Sequence, residues 1–146
     1  MDINFYRERD EPYGCFSNYS RHSFDVDGVP WSTVEHYFQA QKFAGTPHED
    51  AVRLAKTPNI AKMMGNDRSR PLRQDWQQVK DDIMRLAVLR KFESHDDIRK
   101  LLMSTGDAKI VEDSPYDYYW GCGAKRTGRN MLGVILMETR SELRRR

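Results

Sequence analysis

The stretch Trp31-Ser-Thr-Val-Glu-His-Tyr-Phe-Gln-Ala-Gln-Lys-Phe43 decides how this chain is read. Ser32 with Glu35 three residues on has the form of a capping box, and apolar residues follow. A helix is therefore expected from Ser32 to about Phe43. At about 100° per residue, Val34, Tyr37, Phe38 and Gln41 share one face. Glu35, Gln39 and Lys42 share a second stripe beside it. The apolar face belongs against a core, and the polar stripe then falls at its edge, where a pocket wall is expected. A carboxylate and an ammonium on one stripe tune each other's protonation. Spacing alone favours the simpler reading, in which Glu35 caps the helix and pairs loosely with Gln39 or Lys42.

Upstream, residues 3–6 and 22–26 look extended. His22 to Trp31 alternates around Asp27-Gly28, a hairpin turn signal. Downstream, two short helices are expected near 48–56 and 58–64. Pro58 can open the second, and Gly65 can close it. Residues 66–72 form a basic loop. The longest helix runs from Asp75 to about Glu93, with Trp76, Val79, Ile83, Leu86, Ala87 and Arg90 as its buried stripe. Another helix spans about 95–104, and Lys109 to Glu112 is a short strand. A final helix covers Asn130 to Leu143, with Leu132, Ile135, Leu136 and Leu143 apolar. The sum is an α+β chain, mainly α, with a small antiparallel sheet.

Between that strand and the final helix lies a loop of some 17 residues, rich in Gly, Tyr and charge; such loops are often functional. Asp117 and Trp120 lie three apart in it. Its glycines, Gly121 among them, permit close approach of backbone to a ligand. It ends at a helix N-terminus near Asn130, a natural anion site, with Lys125 and Arg129 adding charge. The bland alternative is a surface loop with Asp117 in a turn and Asn130 as N-cap. Gly133 inside the helix points to close packing.

The 146 residues suit one domain, expected to span 1–146, and can bury a core without staples. A net charge of +2 is too small to argue for a stable nucleic-acid complex. No segment approaches the roughly 20 apolar residues of a membrane span, and the N-terminus lacks a secretory signal. Cys15 and Cys122 sit in no paired motif, so free thiols in a reducing cytoplasm are expected. The four histidines show no ligand spacing, so neither metal nor cofactor is expected. Arg68, Arg70 and Arg73 cluster in one loop and can neutralise a substrate phosphate. The arginines at 140 and 144–146 read as favourable placement at a helix C-terminus. Trp31, Trp76 and Trp120 read first as core or rim residues.

Together these stretches resemble the NADAR family of N-glycosidases. The resemblance runs through Gly14-Cys-Phe-Ser-Asn-Tyr19, Gly28 to Phe43, Arg73-Gln-Asp-Trp76, Ser114-Pro-Tyr-Asp117, Trp120-Gly-Cys-Gly123, Gly128-Arg-Asn130 and Leu132-Gly133. It implies a largely helical fold and cleavage of a bond between a ribose anomeric carbon and nitrogen. The small-molecule substrate it implies is a phosphoribosylamine intermediate of riboflavin synthesis or, alternatively, ADP-ribose on a base or side chain. A non-catalytic ADP-ribose-binding module would use the same residues. The implied catalytic residues are Glu35, Lys42 and Asp117. Phe16, Ser17, Asn18, Gln39, Arg73, Trp76, Trp120, Gly121, Arg129 and Asn130 are the implied substrate contacts.

Overall fold

Turn and cap chemistry set where most elements begin. The computed structural model describes all residues, Met1–Arg146, and divides into two compact units: Arg21–Ser94, and Met1–Ser20 with His95–Arg146.

In the unit Arg21–Ser94, strands β2 (Phe24–Val26) and β3 (Val29–Trp31) form the expected antiparallel hairpin, with Phe24 opposite Trp31. Asp27 and Gly28 both have positive φ, 51° and 79°, as a two-residue type I′ turn requires. Helix α1 (Val34–Gln41) follows. Its cap is Thr33 rather than the expected Ser32: the His36 N–H donates to Thr33 Oγ1 at 3.1 Å. Thr33 is extended (φ −147°, ψ 165°), which a β-branched residue favours, and it is fully buried while Ser32 is exposed. The shift removes Glu35 from the capping box and leaves its carboxylate for other partners.

Helices α2 (Pro47–Arg53) and α3 (Pro58–Gly65) start with the same device, a Thr cap followed by Pro. Thr46 accepts from the His48 N–H and Thr57 from the Ile60 N–H. Helix α4 (Trp76–Ser94) buries Trp76, Met84, Ala87, Val88, Lys91 and Phe92. The expected stripe is thus rotated. Val79, Ile83, Leu86 and Arg90 flank it, half-buried. Lys91 sits in mid-stripe, and its charge disguised the periodicity. Helix α1 packs against α2, α3 and α4, so every residue from Val34 to Ala40 is buried. It has no exposed edge.

In the other unit, β1 (Ile3–Phe5) pairs with β4 (Ile110–Glu112). The pair is parallel, Ile3 opposite Ile110, which corrects the expectation of a wholly antiparallel sheet. Parallel pairing needs a long connection, and the strands lie more than 100 residues apart. Helices α5 (Asp96–Ser104) and α6 (Met131–Arg144) complete the unit. Leu132, Ile135, Leu136 and Leu143 are buried as expected. A Cβ on Gly133 would lie 2.2 Å from the Ile110 carbonyl oxygen, so only glycine lets α6 rest on β4. The C-terminal arginines do more than favour a helix end. Arg140 is buried and donates to Thr105 Oγ1 and the Ala108 carbonyl, and Arg144 binds Asp107 and the Gly106 carbonyl. Neither cysteine is in a disulfide.

Asn130 stands at the start of α6 in the left-handed region, φ 53°. Its Oδ1 accepts from the Glu112 N–H at 2.9 Å, and its Nδ2 donates to the Ile110 carbonyl at 2.8 Å. Asn130→Ala would leave both backbone groups unpaired and place alanine at positive φ. We expect a loss of about 3 kcal/mol, from roughly 1–3 kcal/mol per unsatisfied buried group, read as a lowered urea midpoint. An unchanged midpoint would refute this role.

Candidate active site

A helix buried on all sides is usually apolar all round. Helix α1 is not: it places Glu35, His36 and Gln39 in the interior, and Lys42 at its C-cap. Each polar group has to be accounted for.

His36 is structural. Its ring nitrogens reach the Ala55 carbonyl (Nε2, 2.9 Å) and Thr33 Oγ1 (Nδ1, 2.8 Å). A carbonyl only accepts, so Nε2 carries the proton and the Thr33 hydroxyl donates to Nδ1. Burial lowers its pKa, which keeps this neutral form.

Glu35, Gln39 and Lys42 are the unusual set. Gln39 Nε2 donates to Glu35 Oε2 at 2.7 Å, one helical turn apart, and both side chains are buried. Gln39 Oε1 is itself buried without a hydrogen-bond partner. The Lys42 amine leaves its own helix for the end of α3. It donates to the Gly65 carbonyl at 3.4 Å and to Asn66 Oδ1 at 3.2 Å. Two aromatic rings flank it, Trp76 at 5.8 Å and Phe38 at 6.0 Å from their centroids. Burial brings the Lys42 ammonium down to about 8; Arg68 and Lys62 act the same way, and Glu35 opposes them. Near neutral pH a fraction on the order of a tenth is therefore the free, nucleophilic amine.

The structure thus brings Glu35, Gln39, Lys42 and Trp76 together. Trp76 is 5% exposed and packs edge-on against Phe38. It walls the lysine. Arg73 anchors the C-terminus of α1: its N–H donates to the Lys42 carbonyl and its guanidinium to the Gln41 carbonyl. The same guanidinium grips Asp75 through two nitrogens, at 2.6 and 3.1 Å. Arg70 pairs with Asp67. Of the three loop arginines only Arg68 has no carboxylate partner; it donates to the carbonyls of Gly65 and Asn66. Gly65, Asn66 and Arg68 were legible in the sequence only as a helix stop and a basic loop. Nothing local says that they meet Lys42.

The remaining candidates belong to the other unit. Phe16 is 1% exposed, set against Phe5 and Tyr13, which leaves no ring face for a heterocycle. Ser17 Oγ accepts from the Tyr19 N–H just after the 3₁₀ turn Tyr13–Phe16, and Asn18 is half-buried beside it. Asp117 shapes the long loop: its Oδ1 accepts from the N–H groups of Tyr119 (2.9 Å) and Trp120 (2.7 Å). Trp120 is half-buried, edge-on to Tyr119, and Arg129 lies over the Tyr119 ring. Gly121 packs tightly in its own loop, where a Cβ would fall 2.8 Å from Glu112 Oε2.

The anion site expected at Asn130 is closed. The N–H groups of Asn130, Met131 and Leu132 donate to the carbonyls of Gly121, Tyr119 and Trp120. The donors that a helix N-terminus offers to a phosphate are already used by the preceding loop. A separate cavity of about 160 Å³, lined by Tyr6, Asp10, Glu11, Tyr13 and Asp113 among others, contains none of the expected site residues. Its acidic rim suits no phosphate.

Comparison with known proteins identifies the family and the fold. Residues 4–144 match the NADAR domain. An N-glycosidase of Nostoc punctiforme is 50% identical, over 99% of this chain and 94% of its own length. The N-glycosidase YbiA of Escherichia coli is 48% identical, over 97% of this chain and 88% of its own. The NMR structure of the E. coli protein matches with a TM-score of 0.90 at 46% identity, covering 99% of this chain and 87% of that one. The chloroplastic riboflavin biosynthesis protein PYRR of Zea mays is 38% identical over 97% of this chain, which spans 25% of that protein. With a domain match over nearly its whole length and the mainly helical α+β fold of YbiA, the chain belongs to the NADAR family.

Proposed function

We propose that this protein is an N-glycosidase that hydrolyses the ribosyl C–N bond of phosphoribosylamine intermediates of riboflavin biosynthesis. The observation that carries the reading is the buried set on α1, a carboxylate held by Gln39 and a lysine amine walled by Phe38 and Trp76. The names of the bacterial relatives support the reaction class, and that of the maize relative supports the substrate class.

The chemistry follows from those groups. A ribosylamine opens to an imine at its anomeric carbon. The neutral Lys42 amine adds to that carbon and forms a C–N bond. The original C–N bond then breaks as the departing amine takes a proton, leaving an iminium on Lys42. Water adds, the bond to Lys42 breaks, and ribose 5-phosphate leaves as the lysine is regenerated. Glu35 carries protons between these steps and offsets the cationic charge at the carbon. Arg68, with no carboxylate partner, is the residue of its loop best suited to the phosphate.

The test is a substrate panel. The protein is incubated with the two phosphoribosylamino-pyrimidine precursors of riboflavin and with an ADP-ribosylated nucleotide, and products are followed by chromatography. We expect ribose 5-phosphate from the precursors. Release of ADP-ribose alone would replace the substrate assignment, and binding without release of either would refute the activity. Arg68→Ala is expected to raise KM about tenfold with a smaller effect on kcat, as loss of one phosphate contact does. An unchanged KM would exclude Arg68 from phosphate binding.

A further inference from the structure

The C-terminal corner of α3 touches Lys42 and the Gln39 that holds Glu35, and the reaction outlined above gives it no part. Asn66 Oδ1 and the Gly65 carbonyl accept from the Lys42 amine. On its other side Gly65 meets Gln39: a Cβ there would fall 1.9 Å from Gln39 Oε1 and 2.9 Å from Gln39 Cβ. Gln39 is therefore confined between the Cα of Gly65 and the carboxylate of Glu35, to which it donates at 2.7 Å. Gly65 lies inside α3 with no positive φ, so the requirement is for room. A glycine at the last position of a helix looks like an ordinary stop signal. Here it is the surface on which the partner of the carboxylate lies.

We propose that Gly65 and Asn66 are positioning residues for the reaction: Asn66 holds the Lys42 amine in place, and Gly65 sets Gln39 and, through it, Glu35. The proposal rests on the reading of Lys42 as the attacking amine. Two features of the geometry make it specific. The end of a helix presents carbonyl oxygens that favour a cation, so the lysine is drawn to this corner in its charged form. It is also close to Arg68, which donates to the same Gly65 carbonyl and disfavours that charge. The corner thus holds the amine while keeping its proton labile.

The experiment measures the pH dependence of kcat/KM on a phosphoribosylamino-pyrimidine precursor for the full chain and five variants. Asn66→Asp adds a negative charge beside the ammonium and is expected to move the rising limb to higher pH by about one unit. Asn66→Ala removes an acceptor of the ammonium and is expected to move it to lower pH. A purely structural role would lower the height of both profiles without shifting them in opposite directions. Gly65→Ala is expected to reduce kcat on the order of 30- to 100-fold, as is Gln39→Ala. The double variant Gly65→Ala with Gln39→Ala should be no slower than Gln39→Ala alone, because the added methyl then has nothing to displace.

Limbs that stay fixed or move together, or losses at Gly65 and Gln39 that multiply, overturn the proposal. If Gly65→Ala does not fold, the opposite shifts of the exposed Asn66 pair decide it alone. Borohydride trapping of the unsubstituted protein under turnover separates this from the underlying reading. An adduct at Lys42 with fixed limbs overturns the positioning proposal only. No adduct, with turnover surviving in Lys42→Met, overturns both.

Discussion

Glu35→Gln is expected to lower kcat by roughly a thousandfold while the fold persists. The loss lies within the ranges of about 10²–10³ for an electrostatic group aimed at developing charge and about 10²–10⁴ for a proton-transfer group. The replacement has nearly the same shape, and its amide oxygen can still accept from Gln39 Nε2, which donates to the carboxylate at 2.7 Å. Val34 to Ala40 form the buried centre of their unit, so a change of volume here would confuse an activity loss with a folding loss. The isostere avoids that. Amine release measured by chromatography, with circular dichroism and thermal unfolding as controls, checks the expectation. Near-normal turnover in Glu35→Gln would remove Glu35 from the active site altogether.

Lys42→Met should abolish turnover, by roughly a thousandfold or more, and should also make the protein more stable near neutral pH. The largest influence on the Lys42 pKa is burial; Arg68 comes second and acts in the same direction, and the favourable Glu35 charge ranks below both. The folded protein therefore holds an ammonium at a net cost, which methionine of similar length removes. The gain is expected to be on the order of 1–3 kcal/mol, or a few degrees in Tm for a chain of this size.

The pH dependence has a definite sign. Lys42 loses its proton near 8 when folded and near its ordinary value of 10.5 when unfolded. Below about 8 both states are charged and the full cost is present. Between 8 and 10.5 the unfolded chain binds more protons, so the stability contribution of this group rises with pH and the cost is relieved. The stability advantage of Lys42→Met should therefore shrink as pH rises through that window. A variant less stable than the parent at pH 7 would contradict the burial argument. One that is more stable and fully active would show that the lysine has no chemical role.

Much of this molecule follows from local rules. Asp27-Gly28 dictates its hairpin because only residues tolerant of positive φ make that turn. Thr-Pro pairs start α2 and α3 because the Thr hydroxyl caps a first-turn N–H and proline gives up only an N–H that would have had no partner within the helix. The apolar positions of α6 appear at their spacing and are buried. Glu35, Gln39 and Lys42 could be placed on one stripe by counting.

What counting could not supply was the surroundings of that stripe. Two hydroxyl residues stand side by side at 32 and 33, and burial of Thr33 against His36 chose between them. The phase of α4 depended on what packs against it, and a buried lysine at 91 hid the pattern. The parallel pairing of β1 with β4 joins segments with no local signal for each other. The donors at the start of α6 look open in sequence and are closed by the loop before it. The same limit applies to the stretch from Trp31 to Phe43. By itself it determines a helix with a carboxylate and an amine about two turns apart on one stripe. Only the tertiary structure, by enclosing that helix on every side and bringing the end of α3 against it, decided that the amine is desolvated and the carboxylate held. Protonation and position depend on neighbours distant in sequence.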